Sequence, residues 1–170
     1  MTESNSQLYQ LATMIKDIKI AMLTTVSDEG ALHSRPMATQ NIIPSEFDGR
    51  LWFFTKEESL KVHDIDHFKN VNLSYAAPDK NHYVSISGRA RITVDKNCIK
   101  EFWTPALEAW FDGPEDPQIA LIEVEVEDAH VWDGPSNKII QLFEMARSFF
   151  NGKTLDKQGS SQEIHLGRNN

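Results

Sequence analysis

The chain has 170 residues with 17 Lys plus Arg against 25 Asp plus Glu, and its net charge of -8 opposes approach to nucleic-acid phosphates or an anionic membrane. A composition of 40% hydrophobic and 25% charged residues fits a globular domain rather than a disordered or fibrous chain. A domain of this length buries about 70% of the surface its unfolded chain exposes, so Cys98, the single cysteine, has no internal partner and none is needed.

Helical spacing of Leu8, Leu11, Ile15 and Ile18, behind Ser4 and Ser6 as N-caps, predicts an amphipathic helix over residues 6–18. The β-branched run Ala21–Val26, a Ser27-Asp28-Glu29-Gly30 turn and the arm Ala31–Ile42 predict a hairpin. Pro36 lacks a ladder donor and belongs at an edge or a bulge of that arm. Leu51–Thr55 is a short aromatic strand. A helix follows it, with Val62, Ile65 and Phe68 in helical period and Ser59 or Thr55 as its cap. Val71–Ala76 and Tyr83–Val94 predict a second antiparallel pair around Pro78-Asp79-Lys80-Asn81.

Lys96–Ala109 returns to helical spacing with an interruption at Pro105. After the break at residues 112–117, Ile122–Glu127 alternates apolar and acidic residues, the pattern of a strand with one wet face, and His130–Asp133 extends it. A final helix is expected over Ile139–Phe150. Residues 1–150 are expected to form one domain, and residues 151–170 a polar, mobile tail. The first 25 residues carry Glu3, Lys16, Asp17 and Lys19 without a signal-peptide core, and no stretch reaches the ~20 apolar residues of a membrane span. A reducing cytoplasm is the expected location.

The fold class these elements imply is mainly β (α+β), an antiparallel barrel with flanking helices. Neither a βαβ alternation nor a glycine-rich dinucleotide fingerprint is present, since Gly88 stands alone in a strand.

The chemistry concentrates in Phe54-Thr55-Lys56-Glu57-Glu58-Ser59-Leu60-Lys61, where a strand end feeds a helix start. Helix N–H groups, two hydroxyls and lysine charge are the parts of an anion site. The competing reading is that Ser59 only caps a helix whose lysines are solvated. Ser34-Arg35-Pro36-Met37 adds a second cation on irregular backbone in the same sheet. One cation about 4 Å from a phosphate charge is worth roughly 4 kcal/mol at an effective dielectric of ~20, enough to overcome the global charge locally. Without a ligand, Arg35 would pair with Glu29 or Glu46.

These segments, with Ser87-Gly88-Arg89-Ala90, Trp103…Trp110-Phe111 and Trp132-Asp133, occur in unbroken order over residues 8–135. The set resembles bacterial general stress proteins related to pyridoxamine 5'-phosphate oxidase. The resemblance implies a split β-barrel homodimer with FMN in two clefts at the subunit interface, acting as a flavin-dependent oxidoreductase on a small-molecule electron donor and acceptor. By the same resemblance Arg35, Pro36 and Met37 would line the flavin, and Thr55, Lys56, Ser59 and Lys61 would fall in the phosphate motif. Phe54 would flank the ring, and Trp110 and Tyr83 would approach from the partner chain. Gln40 stands where the oxidase branch has a lysine, and no C-terminal arginine-histidine-arginine cluster grips a vitamin B6 phosphate, so that oxidation is not implied. Two alternatives share the same residues: a flavin-binding or flavin-sensing protein without turnover, and a split barrel that takes haem or a deazaflavin.

Trp103 and Trp110, seven residues apart, fall on one helical face if the helix is continuous. His63 and His67 are i,i+4 with Asp64 and Asp66 nearby, a spacing that can chelate zinc. The sequence offers no third ligand beside them, so an exposed polar helix face, with no metal, is expected. Cys98 has no histidine placed to activate it, and Asp112–Asp116 lacks calcium-loop spacing.

Overall fold

The structure, a computed structural model, describes residues 3–133 and 160–165. The elements in chain order are α1 (Glu3–Ile15), β1 (Ile20–Val26), β2 (Leu32–Ala38), β3 (Arg50–Lys56), α2 (Leu60–His67), β4 (Asn70–Ala77), β5 (His82–Thr93), α3 (Lys96–Phe102), β6 (Ile119–Asp133) and β7 (Ser160–His165). Their ladders run β2-β1-β4-β5-β6-β3, with β7 on β6, and every pairing is antiparallel.

The sheet curls until its two edges meet. Thr39 bridges Phe53, the Gln40 N–H donates to the Trp52 carbonyl at 2.9 Å, and the Thr39 and Tyr75 hydroxyls lie 2.9 Å apart. Among the described residues this narrow seam joins β2 to β3, and the result is a split barrel. The curl has a local cause on β5, where the register shifts between Ser87 and Gly88. A Cβ at Gly88 would run into the carbonyl oxygen of Glu125, so no other residue fits there without displacing β6. Pro36 sits, as its missing donor requires, on edge strand β2 opposite Met22.

Two apolar cores flank β3 and β6. Inside the barrel, Leu23, Leu51, Phe53, Leu73, Tyr75, Ile86, Ile122 and Val124 pack with Leu11 and Ile15 of α1 and Ile65 of α2. On the other face Ile99, Phe111, Ile119 and Leu121 form a smaller cluster, joined by Trp52, Phe54, Phe102 and Trp103. Each large side chain fully buried in this way contributes about 1.5–3 kcal/mol.

Several expectations need correction. Helix α1 begins at Glu3, before both serines expected to cap it, and ends at Ile15. Phe68 is not on the buried side of α2; it follows the helix in extended backbone and is 44% exposed. Glu123 breaks the wet-face reading of β6, because α3 and its neighbours cover that end of the strand, and the buried carboxylate pairs with Arg50 and Arg91. The helix before Pro105 does not resume as α-helix. Thr104 is extended, as the residue before a proline prefers, and Pro105–Ala109 forms a short 3₁₀ turn, so Trp103 and Trp110 do not share a helical face. Residues 160–165, expected in a polar mobile tail, pair with β6 as β7. The helix expected over residues 139–150 lies outside the described residues. Among the described residues, no helix is long and apolar enough to cross a membrane.

Candidate functional site

The strand-to-helix junction is built from its backbone outward. Strand β3 ends at Lys56, the Glu57 N–H is tied to the Gln118 carbonyl at 2.9 Å, and the Ser59 N–H donates to the Lys56 carbonyl at 3.2 Å. Ser59 then occupies the N-cap of α2 in extended conformation, yet its side chain makes no cap hydrogen bond. Its Oγ lies instead 3.2 Å from the Oγ1 of Thr55. Thr55 is 4% exposed on the inward face of β3, and its Oγ1 also reaches the Lys56 carbonyl at 3.4 Å. The Val62 N–H closes on the Ser59 carbonyl at 2.9 Å, and the N–H groups of Leu60 and Lys61 before it have no intrahelical acceptor, so helix donors start beside the hydroxyl pair.

Two cations join them. Lys61, one residue into α2, is half-buried, and burial lowers its pKa; the charge of Arg35 lowers it further. Arg35 reaches the same helix, α2, through Asp64. The guanidinium is fixed from behind. Its Nη1 donates to Thr25 Oγ1 at 2.6 Å, Thr25 Oγ1 donates to Asp64 Oδ2 at 2.6 Å, and Nη2 lies 3.5 Å from that same oxygen. His33 Nδ1 is 3.7 Å from it. Burial raises the pKa of Asp64, but the Thr25 hydroxyl, Arg35 and His33 outweigh it and hold the carboxyl below its ordinary value. Arg35 thus pairs with Asp64 of α2, not with Glu29 or Glu46 as expected. Five N–H donors leave a guanidinium free to bind elsewhere after such a pairing.

Of the residues singled out in the sequence, Thr55 and Ser59 meet through their hydroxyls, Lys61 follows Ser59 by two residues in the first turn of α2, and Arg35 is joined to that helix through Asp64. Lys56 is exposed at the strand end and enters the junction through its carbonyl. Pro36 is exposed on the outer face of β2, whereas the Met37 side chain packs into the barrel core. Phe54 points to the opposite face of β3 from Thr55, where its ring meets Trp103 edge-on at 6.1 Å and Phe111 at 6.3 Å. Trp110 follows the 3₁₀ turn and is 67% exposed. Gln40 Nε2 donates to the Ala38 carbonyl at 3.1 Å, and Tyr83 is 39% exposed on β5.

Thr25, His33 and Asp64 were missed. One signal for Asp64 existed: it lies between Val62 and Ile65, both buried, and a carboxylate on the buried side of a helix requires a cation or hydroxyl partner. An open groove beside the start of α2 is lined by Ser59, Leu60 and His63 together with Glu57, Glu58 and Asp66. Its three carboxylates repel anions, so the groove is distinct in character from the Arg35–Lys61 side of the junction.

Comparison with known proteins places this fold. The chain is 29% identical to protein bli-3 of Neurospora crassa over 96% of its own length and 84% of that protein's. It is 28% identical to general stress protein 26 of Bacillus subtilis, over 73% of this chain and 86% of the relative. The crystal structure of the general stress FMN/FAD binding protein of Xanthomonas citri superposes with a TM-score of 0.66 at 25% identity, covering 78% of this chain and 92% of that one. The family profile described as pyridoxamine 5'-phosphate oxidase like matches residues 6–156. With the split barrel and the general stress relatives in agreement, the chain belongs to the pyridoxamine 5'-phosphate oxidase-like family.

Proposed function

We propose that this chain binds FMN and works as a flavin-dependent oxidoreductase of the general stress protein type. The observation that carries the proposal is that the start of α2 presents Lys61 and the paired Thr55 and Ser59 hydroxyls while Asp64 of the same helix holds Arg35, inside a chain of net charge -8. A phosphate monoester dianion suits this set. Lys61 would give it a point charge, Arg35 a fork of donors, and Ser59 and the first N–H groups of α2 neutral hydrogen bonds. Burial first, and the charge of Arg35 after it, lower the pKa of Lys61, and a dianion between the two cations would favour the charged ammonium again. The flavin-binding relative in Xanthomonas citri supports the same ligand class.

When bound, the isoalloxazine ring would supply hydride or electron transfer between a small-molecule donor, such as a nicotinamide, and an acceptor. The chain's own part would be grip and orientation. Asp64 and Thr25 hold the Arg35 guanidinium in place, and the exposed edge backbone at Pro36 would lie along the ring. Oxidation of vitamin B6 phosphates is not part of the proposal, because the arginine-histidine-arginine cluster is missing from the sequence.

The barrel interior is filled by its core, so the cofactor would lie outside and gain burial only under a second copy of the chain. The outer face of the sheet supports such a homodimer: Ile20, Met22, Leu32, Tyr83 and Trp132 expose apolar surface there. A visible spectrum of protein purified without added cofactor tests the ligand, and flavin bands are expected. A Soret band would contradict FMN. Anaerobic reduction by NADPH tests turnover: acceleration over free FMN supports an enzyme, and equal rates would leave a flavin-binding protein only.

A further inference from the structure

The exposed face of α2 carries a cluster that the flavin reading does not use. His63 and His67 lie one turn apart, and the chain fold delivers Asp28, from the turn between β1 and β2, against both. His63 Nε2 is 3.0 Å from Asp28 Oδ2, and His67 Nδ1 is 3.6 Å from Asp28 Oδ1. One donor atom from each residue falls within 4.8 Å of the others. Tetrahedral zinc, with bonds of about 2.0–2.1 Å, separates its ligand atoms by about 3.4 Å, so the set needs only small rotamer changes to close on an ion. The ligand missing from the sequence neighbourhood is thus supplied from 35 residues upstream.

We propose that Asp28, His63 and His67 form a binding site for a divalent first-row transition ion of the zinc class, with water in the fourth position. Two imidazoles and one carboxylate favour zinc, copper or nickel over magnesium or calcium, which take oxygen ligands. The surroundings agree. His67 Nδ1, which lies 2.9 Å from the His63 carbonyl, would exchange that hydrogen bond for the ion, and Asp66, one residue before His67, adds negative charge on the same helix. All three residues are exposed, so an ion reaches them without opening the core. Binding would tie the β1–β2 turn to α2, with no change of oxidation state.

The test uses the full chain, untagged and stripped with a chelator. Titration with zinc should show one ion per chain at micromolar affinity, and cobalt should give the visible bands of a tetrahedral site that zinc abolishes. Asp28→Ala and His63→Ala should each weaken zinc by about tenfold or more, the double variant His63→Ala/His67→Ala should lose the site, and His82→Ala should leave it intact. Zinc should raise the melting temperature of the parent but not of the double variant, a readout that does not depend on flavin. Unchanged zinc affinity in the double variant, no zinc binding by the parent, or equal binding of magnesium would each overturn the proposal.

Discussion

Ser59 holds the N-cap position of α2 while its hydroxyl turns away from the helix to meet Thr55 Oγ1 at 3.2 Å. A serine serving only as a cap would aim that oxygen at the helix N–H groups. The departure leaves helix donors and hydroxyls side by side next to Lys61.

Ser59→Ala should therefore act on ligand more than on fold. Loss of one neutral hydrogen bond is worth about 0.5–1.5 kcal/mol, or about 2- to 13-fold weaker FMN binding in a fluorescence-quenching titration. Unfolding free energy of the free protein should fall by less than about 1 kcal/mol, since no cap is lost. A large stability loss with unchanged FMN affinity would restore the plain capping role.

Asp64 carries a pH signature. Its folded pKa lies below its ordinary value because Thr25, Arg35 and His33 outweigh burial. As pH falls, the unfolded chain takes up this proton first, at about 3.9. The stabilisation is thus complete above that value and drains away as pH drops through the lower folded value. Asp64→Asn should cost about 1–3 kcal/mol at neutral pH and make the acid limb of the stability curve shallower. Parallel acid limbs in urea titrations would show that Asp64 is not held this way.

Gly88→Ala places a methyl group against the Glu125 carbonyl at the bulge that bends β5. Overpacking of this kind costs about 1–3 kcal/mol, and a backbone partner gives way less readily than a side chain. Denaturant unfolding should show a loss in that range, whereas Gly30→Ala, with open space around it and positive φ, should show only the smaller cost of its backbone conformation.

Met22→Glu addresses the proposed dimer. Met22 is 41% exposed beside Pro36 on the outer face of the sheet, so the charge would hardly disturb the monomer fold. Sedimentation velocity should show the parent as a dimer and the variant shifted toward monomer, with weaker FMN binding in parallel. A parent that stays monomeric when saturated with FMN would remove the interface from the account.

Much of the fold was legible because local signals agreed with it: the Ser27–Gly30 turn after a β-branched arm, Pro36 at an edge, and aromatic β3 running into α2. What failed depended on contacts distant in sequence. Glu123 looked solvated by alternation and is buried because α3 and its neighbours cover it, with Arg50 and Arg91 reaching it from other strands. Asp28 and Asp64 gained their meaning only when the β1–β2 hairpin packed against α2. Motif order placed Phe54 beside the phosphate residues, whereas strand alternation turns its side chain away from Thr55.

The central claim is that the Arg35–Lys61 pair recognises a phosphate. Its most direct test is to titrate FMN and riboflavin, which lacks the phosphate, into the parent protein and Lys61→Ala. FMN should bind the parent far more tightly than riboflavin, and Lys61→Ala should lose about 10- to 150-fold for FMN, equivalent to about 1.5–3 kcal/mol, while its riboflavin affinity stays unchanged. Equal losses for both ligands, or none for FMN, would contradict it.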